Sequence, residues 1–246
     1  MLKKELVIKG LKIVYAVSPS FDVNRAVVFL PGWRSPVDLF CSIAGDVPNL
    51  LAINLPGWGG SEKPSTVWGL SEYAEFIGEF FKKMSLDNPI LIGHSVGAAV
   101  AVEYLRQGGR AQRLIIIGGA IIRERDWRLQ LIMGASKLFR FLTPFLRKSW
   151  RRALAGNLIS PDYVQAGEMS GIYQRLIKED RQEAFKSLNL PIALIWGADD
   201  QDTPLTYAER LKKIQNSANL EIITKAGHYC FLDQPQSFRA ALNKFL

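Results

Sequence analysis

Cysteine and histidine are scarce in this chain of 246 residues, which contains only two of each. Cys41 and Cys230 do not have the close spacing of a metal-binding pair, so the sequence predicts neither a zinc site nor a disulfide-rich scaffold. We expect both thiols to be reduced and the protein to be cytoplasmic. The scarcity of histidine also limits the choice of a general base to His94 and His228.

Long apolar runs, repeats and low-complexity tracts are also missing. No run approaches the roughly 20 apolar residues that a membrane-spanning helix needs. Residues 1–9 lack the apolar core of a secretory signal, so we expect a protein that is not transmembrane. The lack of repeats argues against an array or a disordered scaffold. An apolar content of 48% is enough for one substantial core with an inserted subdomain.

The sequence Gly93-His94-Ser95-Val96-Gly97 separates an apolar, strand-like run from a run of small apolar residues typical of a helix. In this context Gly-x-Ser-x-Gly is the pattern of a nucleophile elbow. A sharp turn between a strand and a helix requires neighbours without a Cβ atom, and it presents the serine hydroxyl to a substrate. We therefore predict that Ser95 is a nucleophile. A glycine-rich turn without chemistry is the alternative.

A serine hydroxyl becomes a useful nucleophile only when a base takes its proton. The elbow would point the His94 side chain away from the Ser95 hydroxyl, which leaves His228. His228 follows the strand-like residues 220–223 and Gly227, and a loop at the end of a strand is the expected place for a general base. His228 is therefore the predicted base. The alternative is a hydrogen-bonded surface histidine.

The base needs a third group, usually a carboxylate, that fixes its tautomer and stabilises the imidazolium ion. Asp199, Asp200 and Asp202 all lie in the turn that follows the buried-looking strand 192–196. Aspartate is a common turn residue, and at least two of the three must be ordinary solvated side chains. The position in the turn alone leaves the choice open.

Strand-like and helical segments alternate along most of the chain. Core strands are predicted at about residues 12–16, 26–30, 50–54, 90–93, 113–117, 192–196 and 220–224. Helical patterns such as residues 71–84 separate most of them, which predicts an α/β fold whose mainly parallel sheet is flanked by helices. The active site of such a sheet lies at the carboxyl ends of its strands.

These motifs together resemble the α/β-hydrolase fold superfamily over nearly the whole chain. The order Ser95, Asp200, His228 is the order of the catalytic residues in that fold. Family members commonly carry the acid three residues after the glycine that ends a strand and four residues before a proline. Asp200 has both spacings, relative to Gly197 and Pro204. The resemblance thus implies Asp200 as the acid, with Asp202 and then Asp199 as the next choices.

Two other segments carry the resemblance. Residues 26–33 form a strand and a glycine turn, in which Pro31 replaces a histidine that is frequent in the family. The resemblance implies that the backbone N–H groups of Trp33 and Val96 form an oxyanion hole. Residues 50–61 are similar to the family loop Asp-x-Pro-Gly-x-Gly-x-Ser, with Asn54 in place of the aspartate. We assign no chemistry to that loop.

The alternation stops between residues 120 and 185, where the chain has an all-helical pattern. By resemblance this segment is a helical cap inserted into a core that consists of residues 1–119 and 186–246. The segment is also basic, and the chain has a net charge of +8. Its basic residues before Gly156 are Arg123, Arg125, Arg128, Lys137, Arg140, Arg147, Lys148, Arg151 and Arg152.

Three interpretations of this charge stay open. The simplest is a solvated helical face. The alternatives are docking of an acidic partner, such as an acyl carrier protein, and contact with anionic lipid. Nucleic acid is not an expected partner, because the sequence has no recognised binding motif.

The predicted function is hydrolysis of a small-molecule carboxylic ester through an acyl-enzyme intermediate, without a metal or an organic cofactor. A serine at the elbow argues against the dehalogenase and epoxide-hydrolase branches, which use a carboxylate. The resemblance leaves lactonase, thioesterase, acyl-carrier-protein methyl ester esterase and carbon-carbon bond hydrolase activity open. A non-catalytic ligand receptor on the same fold is the alternative from another class.

Overall fold

One sheet of eight strands forms the centre of the computed structural model, which describes residues 1–123 and 166–246. The strands are β1 (Leu2–Ile8), β2 (Leu11–Val17), β3 (Val27–Leu30), β4 (Leu50–Ile53), β5 (Ile90–His94), β6 (Arg113–Ile117), β7 (Ile192–Gly197) and β8 (Asn219–Ile223). Their spatial order is β1-β2-β4-β3-β5-β6-β7-β8. The pairs β1/β2 and β2/β4 are antiparallel and the other neighbouring pairs are parallel. The predicted α/β fold with a mainly parallel sheet is confirmed.

Helices cover both faces of this sheet. In the described residues they are α1 (Val37–Ala44), α2 (Leu70–Lys83), α3 (Val96–Arg106), α4 (Ser170–Leu176), α5 (Gln182–Lys186), α6 (Leu205–Ile214), α7 (Cys230–Asp233) and α8 (Pro235–Asn243). Apolar side chains of α2, α3, α5 and α6 belong to one buried cluster, and those of α1, α7 and α8 to another. In β3, Val28 belongs to the first cluster and its neighbour Phe29 to the second. Successive side chains of a strand point to opposite faces of the sheet, so an apolar strand contributes side chains to both clusters.

The sequence-based prediction missed β1. Residues 2–5 of this strand are exposed, and three of its seven residues are charged. The strand lies at the edge of the sheet and pairs only with β2. Because it buries so little apolar surface, it lacks the apolar run that reveals an inner strand. Charged residues such as Lys3 and Lys4 are typical of a sheet edge, where they discourage pairing with another chain.

The order of the strands creates a crevice above β3 and β5. In the sheet, β4 lies on one side of β3, whereas β5 and the later strands lie on its other side. The loops that follow β3 and β5 therefore diverge at a switch point, where open α/β sheets bind their ligands. These two loops carry Trp33 and Ser95. Since β6, β7 and β8 are parallel to β5, the loops that follow them open at the same edge.

Most of the predicted cap, residues 120–185, lies outside the described residues. The basic side chains from Arg125 to Arg152 belong to the part that is not described. Of the predicted cap, residues 120–123 and 166–185 are described, and the second range contains a 3₁₀ turn (Gly167–Met169), α4 and most of α5. The division into a core and a cap therefore stays a prediction. Within the described ranges, no helix has both the length and the apolar character that crossing a membrane requires.

A network of ion pairs joins α4 and the turn before α5 to α2 and α3, two of the helices that cover the sheet. Arg175 of α4 contacts Glu72 of α2 at 2.8 Å and Glu179 at 3.0 Å. Arg181 contacts Glu179 at 2.8 Å and Glu103 of α3 at 2.7 Å. Glu103 is almost completely buried. These contacts fix residues 175–181 against α2 and α3.

Candidate active site

Ser95 forms the turn between β5 and α3 in a conformation that is rare for a residue with a side chain. Its φ is 51° and its ψ is −118°. The Ser95 N–H donates to the carbonyl of Ile117 at 3.0 Å, and the Ser95 carbonyl accepts from the N–H groups of Ala98 at 3.1 Å and Ala120 at 3.0 Å. A backbone in such a region costs about 1–3 kcal/mol and persists only where surrounding contacts hold it. Such strain is typical of a functional site.

The two glycines of the Gly-x-Ser-x-Gly pattern are required by close packing. A Cβ atom on Gly93 would lie 2.5 Å from the Cα atom of Ala98. A Cβ atom on Gly97 would lie 2.2 Å from the carbonyl oxygen of Leu30. Both distances are far below a van der Waals contact, so only glycine allows α3 to begin this close to β5 and β3.

His228 and Asp200 are hydrogen-bonded to each other. The Nδ1 atom of His228 lies 2.9 Å from Oδ2 of Asp200, and the Asp200 side chain is completely buried. Oδ1 of Asp200 accepts the backbone N–H groups of Asp202 and Thr203, both at 2.9 Å. Burial acts to raise the pKa of Asp200, but the hydrogen bonds from His228 and Thr203 together hold this pKa below its usual value. The carboxylate is therefore ionised and can orient the imidazole.

The three aspartates considered from the sequence occupy different environments. Asp200 is buried, whereas Asp199 and Asp202 are exposed. The backbone N–H of Asp199 donates to the carbonyl of Ala226 at 2.9 Å, and that of Asp202 donates to the Asp200 carboxylate. Asp200 is thus the aspartate that is brought to His228, while its two neighbours shape the turn.

Two residues that sequence reasoning missed contact the Asp200–His228 pair. The Thr203 hydroxyl lies 2.8 Å from Oδ2 of Asp200 and 3.3 Å from Nδ1 of His228. Gly118, with a φ of 49°, lies so close that an added Cβ atom would be 3.2 Å from both of those atoms. The Asp-x-x-Thr spacing before Pro204 is a signal for a turn closed by side chains. Gly118 gives no comparable signal, because its proximity to the pair comes from the tertiary fold.

The loop that follows β3 touches the elbow. A Cβ atom on Gly32 would lie 3.1 Å from the Cβ atom of Ser95. Val96 is the first residue of α3, so its N–H has no acceptor within the helix. In the described part of the chain, neither this N–H nor that of Trp33 has a hydrogen-bond acceptor. One of these donors is at a helix N-terminus next to Ser95 and the other is in the loop that touches the elbow, and donors of this kind can stabilise an oxyanion.

An aromatic wall adjoins this loop. The ring of Trp33 lies 5.1 Å from the ring of Tyr173 of α4 and 5.6 Å from that of Trp58. The stacked pair Trp58 and Tyr73 continues the wall into the core, with 5.5 Å between ring centroids. Trp33 itself is partly exposed. The wall presents an apolar surface next to the loop that touches the elbow.

His94 has a different environment from His228. Its side chain is completely buried, and its Nε2 atom lies 3.0 Å from the backbone carbonyl oxygen of His228. Burial lowers the pKa of His94 to about 3, and the neighbouring His228 acts in the same direction. His94 is therefore neutral at ordinary pH. It cannot take a proton from a substrate or from Ser95.

A metal site and a cysteine nucleophile are less well supported by the described residues than the Asp200–His228 pair. In the described residues, Asp200, Asp202 and His228 offer ligand atoms that lie within 4.8 Å of one another, as a metal site would require. Both oxygens of Asp200 already accept hydrogen bonds, so the carboxylate is committed to the turn and to His228. Burial raises the pKa of Cys41 to about 11 and that of Cys230 to about 12. Both free thiols are therefore protonated and poor nucleophiles.

Known proteins share this architecture. The chain is 22% identical over 245 residues to the AB hydrolase superfamily protein YisY of Bacillus subtilis strain 168, a match that covers 90% of this chain and 91% of YisY. The fold is similar to that of the esterase EaEST from Exiguobacterium antarcticum, with a TM-score of 0.74, 23% identity and coverage of 97% of this chain and 96% of the esterase. It is also similar to a meta-cleavage product hydrolase from Pseudomonas fluorescens IP01, with a TM-score of 0.71, 16% identity and coverage of 98% and 96%.

These structural similarities, all under 25% identity, concern the fold. The family is shown by a direct match of the sequence to the profile of the alpha/beta hydrolase family, which extends over residues 27–241. This range includes Ser95, Asp200 and His228 and reaches into α8. The chain therefore belongs to the alpha/beta hydrolase family.

Proposed function

We propose that this protein is a serine hydrolase that cleaves carboxylic esters. Ser95 is the nucleophile, His228 the general base and Asp200 the group that orients His228. The observation that carries the proposal is the 2.9 Å hydrogen bond between His228 Nδ1 and the buried Asp200 carboxylate, at the sheet edge where Ser95 holds its strained turn. A fixed Nδ1–H leaves the other ring nitrogen of His228 as the proton acceptor.

The proposed reaction has two steps. The Ser95 oxygen attacks the ester carbonyl while its proton moves to His228, and the N–H groups of Trp33 and Val96 hold the oxyanion. His228 then protonates the departing alcohol, which leaves an acyl group on Ser95. In the second step His228 takes a proton from a water molecule as its oxygen attacks the acyl carbonyl; the bond between the acyl carbon and the Ser95 oxygen then breaks, His228 returns the proton to that oxygen, and the carboxylic acid leaves. The chain's own side chains supply every proton transfer.

An ester is the favoured substrate among those that this chemistry allows. The aromatic wall at Trp33 and Tyr173 suits an apolar acyl or alcohol group. The carbonyl group of an ester needs no charged side chain to bind it. Similar folds are found both in a protein described as an esterase and in one described as a meta-cleavage product hydrolase. Lactones, thioesters, carrier-linked methyl esters and carbon-carbon bonds are therefore the alternatives to test.

The cap and its partners belong to the same proposal. We propose residues 120–185 as an inserted helical cap; in the described part of this segment, Tyr173 of α4 contacts Trp33 beside the elbow, which supports the proposal. An acidic carrier protein or anionic lipid at the basic residues 125–152 stays a prediction, since those residues lie outside the described part. The free thiols of Cys41, which is half-buried, and Cys230, which is buried, are consistent with the proposed cytoplasmic location.

A substrate panel tests this proposal. Wild type and Ser95→Ala are compared on p-nitrophenyl acetate and butyrate, a lactone, a thioester, a carrier-linked methyl ester and a meta-cleavage product. The proposal expects turnover of the simple esters by wild type and a loss of at least about 10³-fold in Ser95→Ala. Turnover confined to the carbon-carbon substrate would overturn the ester assignment. Binding of these compounds without turnover would favour a receptor.

A further inference from the structure

His94 lies where three loops of the site meet. It immediately precedes Ser95, its Nε2 atom contacts the His228 carbonyl at 3.0 Å, and a Cβ atom on Gly32 would be 2.8 Å from its Nδ1 atom. Its ring also lies 4.8 Å from the ring of His228 and 5.0 Å from that of Tyr229. One buried ring therefore separates the elbow, the loop of Trp33 and the loop of His228.

The contacts of His94 determine its tautomer. A carbonyl oxygen only accepts hydrogen bonds, so the proton must be on Nε2 when Nε2 bonds to His228. The other nitrogen, Nδ1, is buried beside Gly32 and has no partner in the described residues. A second proton there would be a buried donor without an acceptor, which is costly. The group is therefore held as a neutral donor.

We propose that His94 is a positioning residue that fixes the backbone of His228 relative to Ser95. The inference depends on the proposed function, since it assigns His94 a part in the reaction of Ser95 and His228. His94 touches neither the substrate nor the transferred proton. It acts through its contact with the backbone carbonyl of His228, the proposed general base.

The backbone contact adds a restraint that Asp200 alone does not give. The hydrogen bond from Nδ1 to Asp200 fixes one point of the His228 ring, about which the ring can still pivot. Holding the His228 carbonyl fixes the other end of the residue. Displacements of about 1 Å in a reacting group can lower a rate by about 10²-fold, so this second restraint bears directly on kcat.

Two substitutions of matched size test the proposal. Glutamine carries an amide nitrogen as many bonds from its Cβ atom as Nε2 is in histidine, whereas methionine has the same length without a donor. We expect His94→Met to lower kcat about tenfold with KM nearly unchanged, and His94→Gln to stay within about threefold of wild type. Equal losses in the two variants, or full activity in His94→Met, would overturn the proposal.

A spectroscopic measurement is independent of activity and of the folding of any variant. In the ¹⁵N spectrum of wild-type imidazoles, His94 should show a neutral Nε2–H tautomer that does not titrate between pH 5 and pH 8. The titratable neighbours are His228, Asp200 and Tyr229. Titration of His94 in this range, or a proton on Nδ1, would contradict the proposed contact. If Ser95→Ala were fully active, the proposed function would fail while this tautomer could still be observed.

Discussion

The Nδ1 atom of His228 lies 2.9 Å from Oδ2 of Asp200, although the two residues are 28 positions apart in the chain. Their strands explain this proximity. β7 and β8 are parallel neighbours in which Gly197 pairs with Ile223, and both side chains come from the loops directly beyond that pair. The contact therefore depends on the register of two strands, and it connects the fold to the proposed chemistry.

The first prediction distinguishes the effect of Asp200 on kcat from that of Asp202. Asp200→Asn keeps the size of the side chain but removes the charge that stabilises the His228 imidazolium, so kcat should fall by about 10³–10⁴-fold. Asp202→Asn is the matched control and should stay within about threefold of wild type, because its exposed side chain can change without loss of the backbone N–H that Asp200 accepts. Steady-state kinetics on a p-nitrophenyl ester gives both values. The reverse ranking would show that the acid is misassigned.

The second prediction concerns Gly118, which lies against the Asp200–His228 pair. Gly118→Ala introduces a Cβ atom 3.2 Å from both partners and should lower kcat about tenfold. Gly108→Ala is the control, because Gly108 also has a positive φ but no atom within 4 Å of an added Cβ. Each substitution should lower the free energy of unfolding by roughly 1–2 kcal/mol. Unchanged kcat in Gly118→Ala would show that the pair tolerates displacement.

The third prediction follows from the low pKa of His94. Burial lowers this pKa from 6.5 to about 3, so the unfolded chain binds a proton below pH 6.5 that the folded protein excludes. The free energy of unfolding contributed by this group is therefore fully present above pH 6.5 and is lost as the pH falls towards 3. Between pH 7 and pH 5 the loss should be about 2 kcal/mol.

Urea unfolding of wild type and His94→Gln at pH 7, 6 and 5 measures this term, because groups common to both proteins cancel in the difference. The variant has no titrating group at position 94 and should lose about 2 kcal/mol less than wild type over this interval. The same pH dependence in both proteins would mean that His94 takes up protons in the folded state.

The fourth prediction concerns the ion pairs that join α3 to the segment before α5. The Glu103 side chain is 1% exposed and contacts both Arg106 and Arg181 at 2.7 Å. Burial acts to raise the pKa of Glu103, but the arginines hold it below its usual value. Glu103→Gln removes the charge of one of the two carboxylates that contact the largely buried Arg181, and we expect the free energy of unfolding to fall by about 2–4 kcal/mol.

The exposed pair of Lys3 and Asp38 provides the control for Glu103. Their side chains are 64% and 56% exposed, so Asp38→Asn should change the free energy of unfolding by about 0.5 kcal/mol or less. Urea unfolding of both variants gives the comparison. A cost for Glu103→Gln as small as that of Asp38→Asn would mean that the buried network does not stabilise the fold.

Much of the fold could be predicted because inner strands and the elbow leave strong local signals. Apolar runs gave β2 to β8 approximately, whereas β1 was missed because its exposed, charged residues bury little surface. The turn at Ser95 was predictable because glycines are obligatory on both sides. Gly118 and the role of the His94 ring were not, since their contacts depend on how separate loops meet. Sequence spacing does not encode that geometry.

The central claim is that Ser95 is the nucleophile, and covalent labelling tests it most directly. Wild type and Ser95→Ala are treated with a fluorophosphonate, and the modified peptide is identified by mass spectrometry. We predict one phosphonyl group per wild-type chain, on the Ser95 hydroxyl, and no labelling of Ser95→Ala. Modification at another residue, or equal labelling of the two proteins, would contradict it.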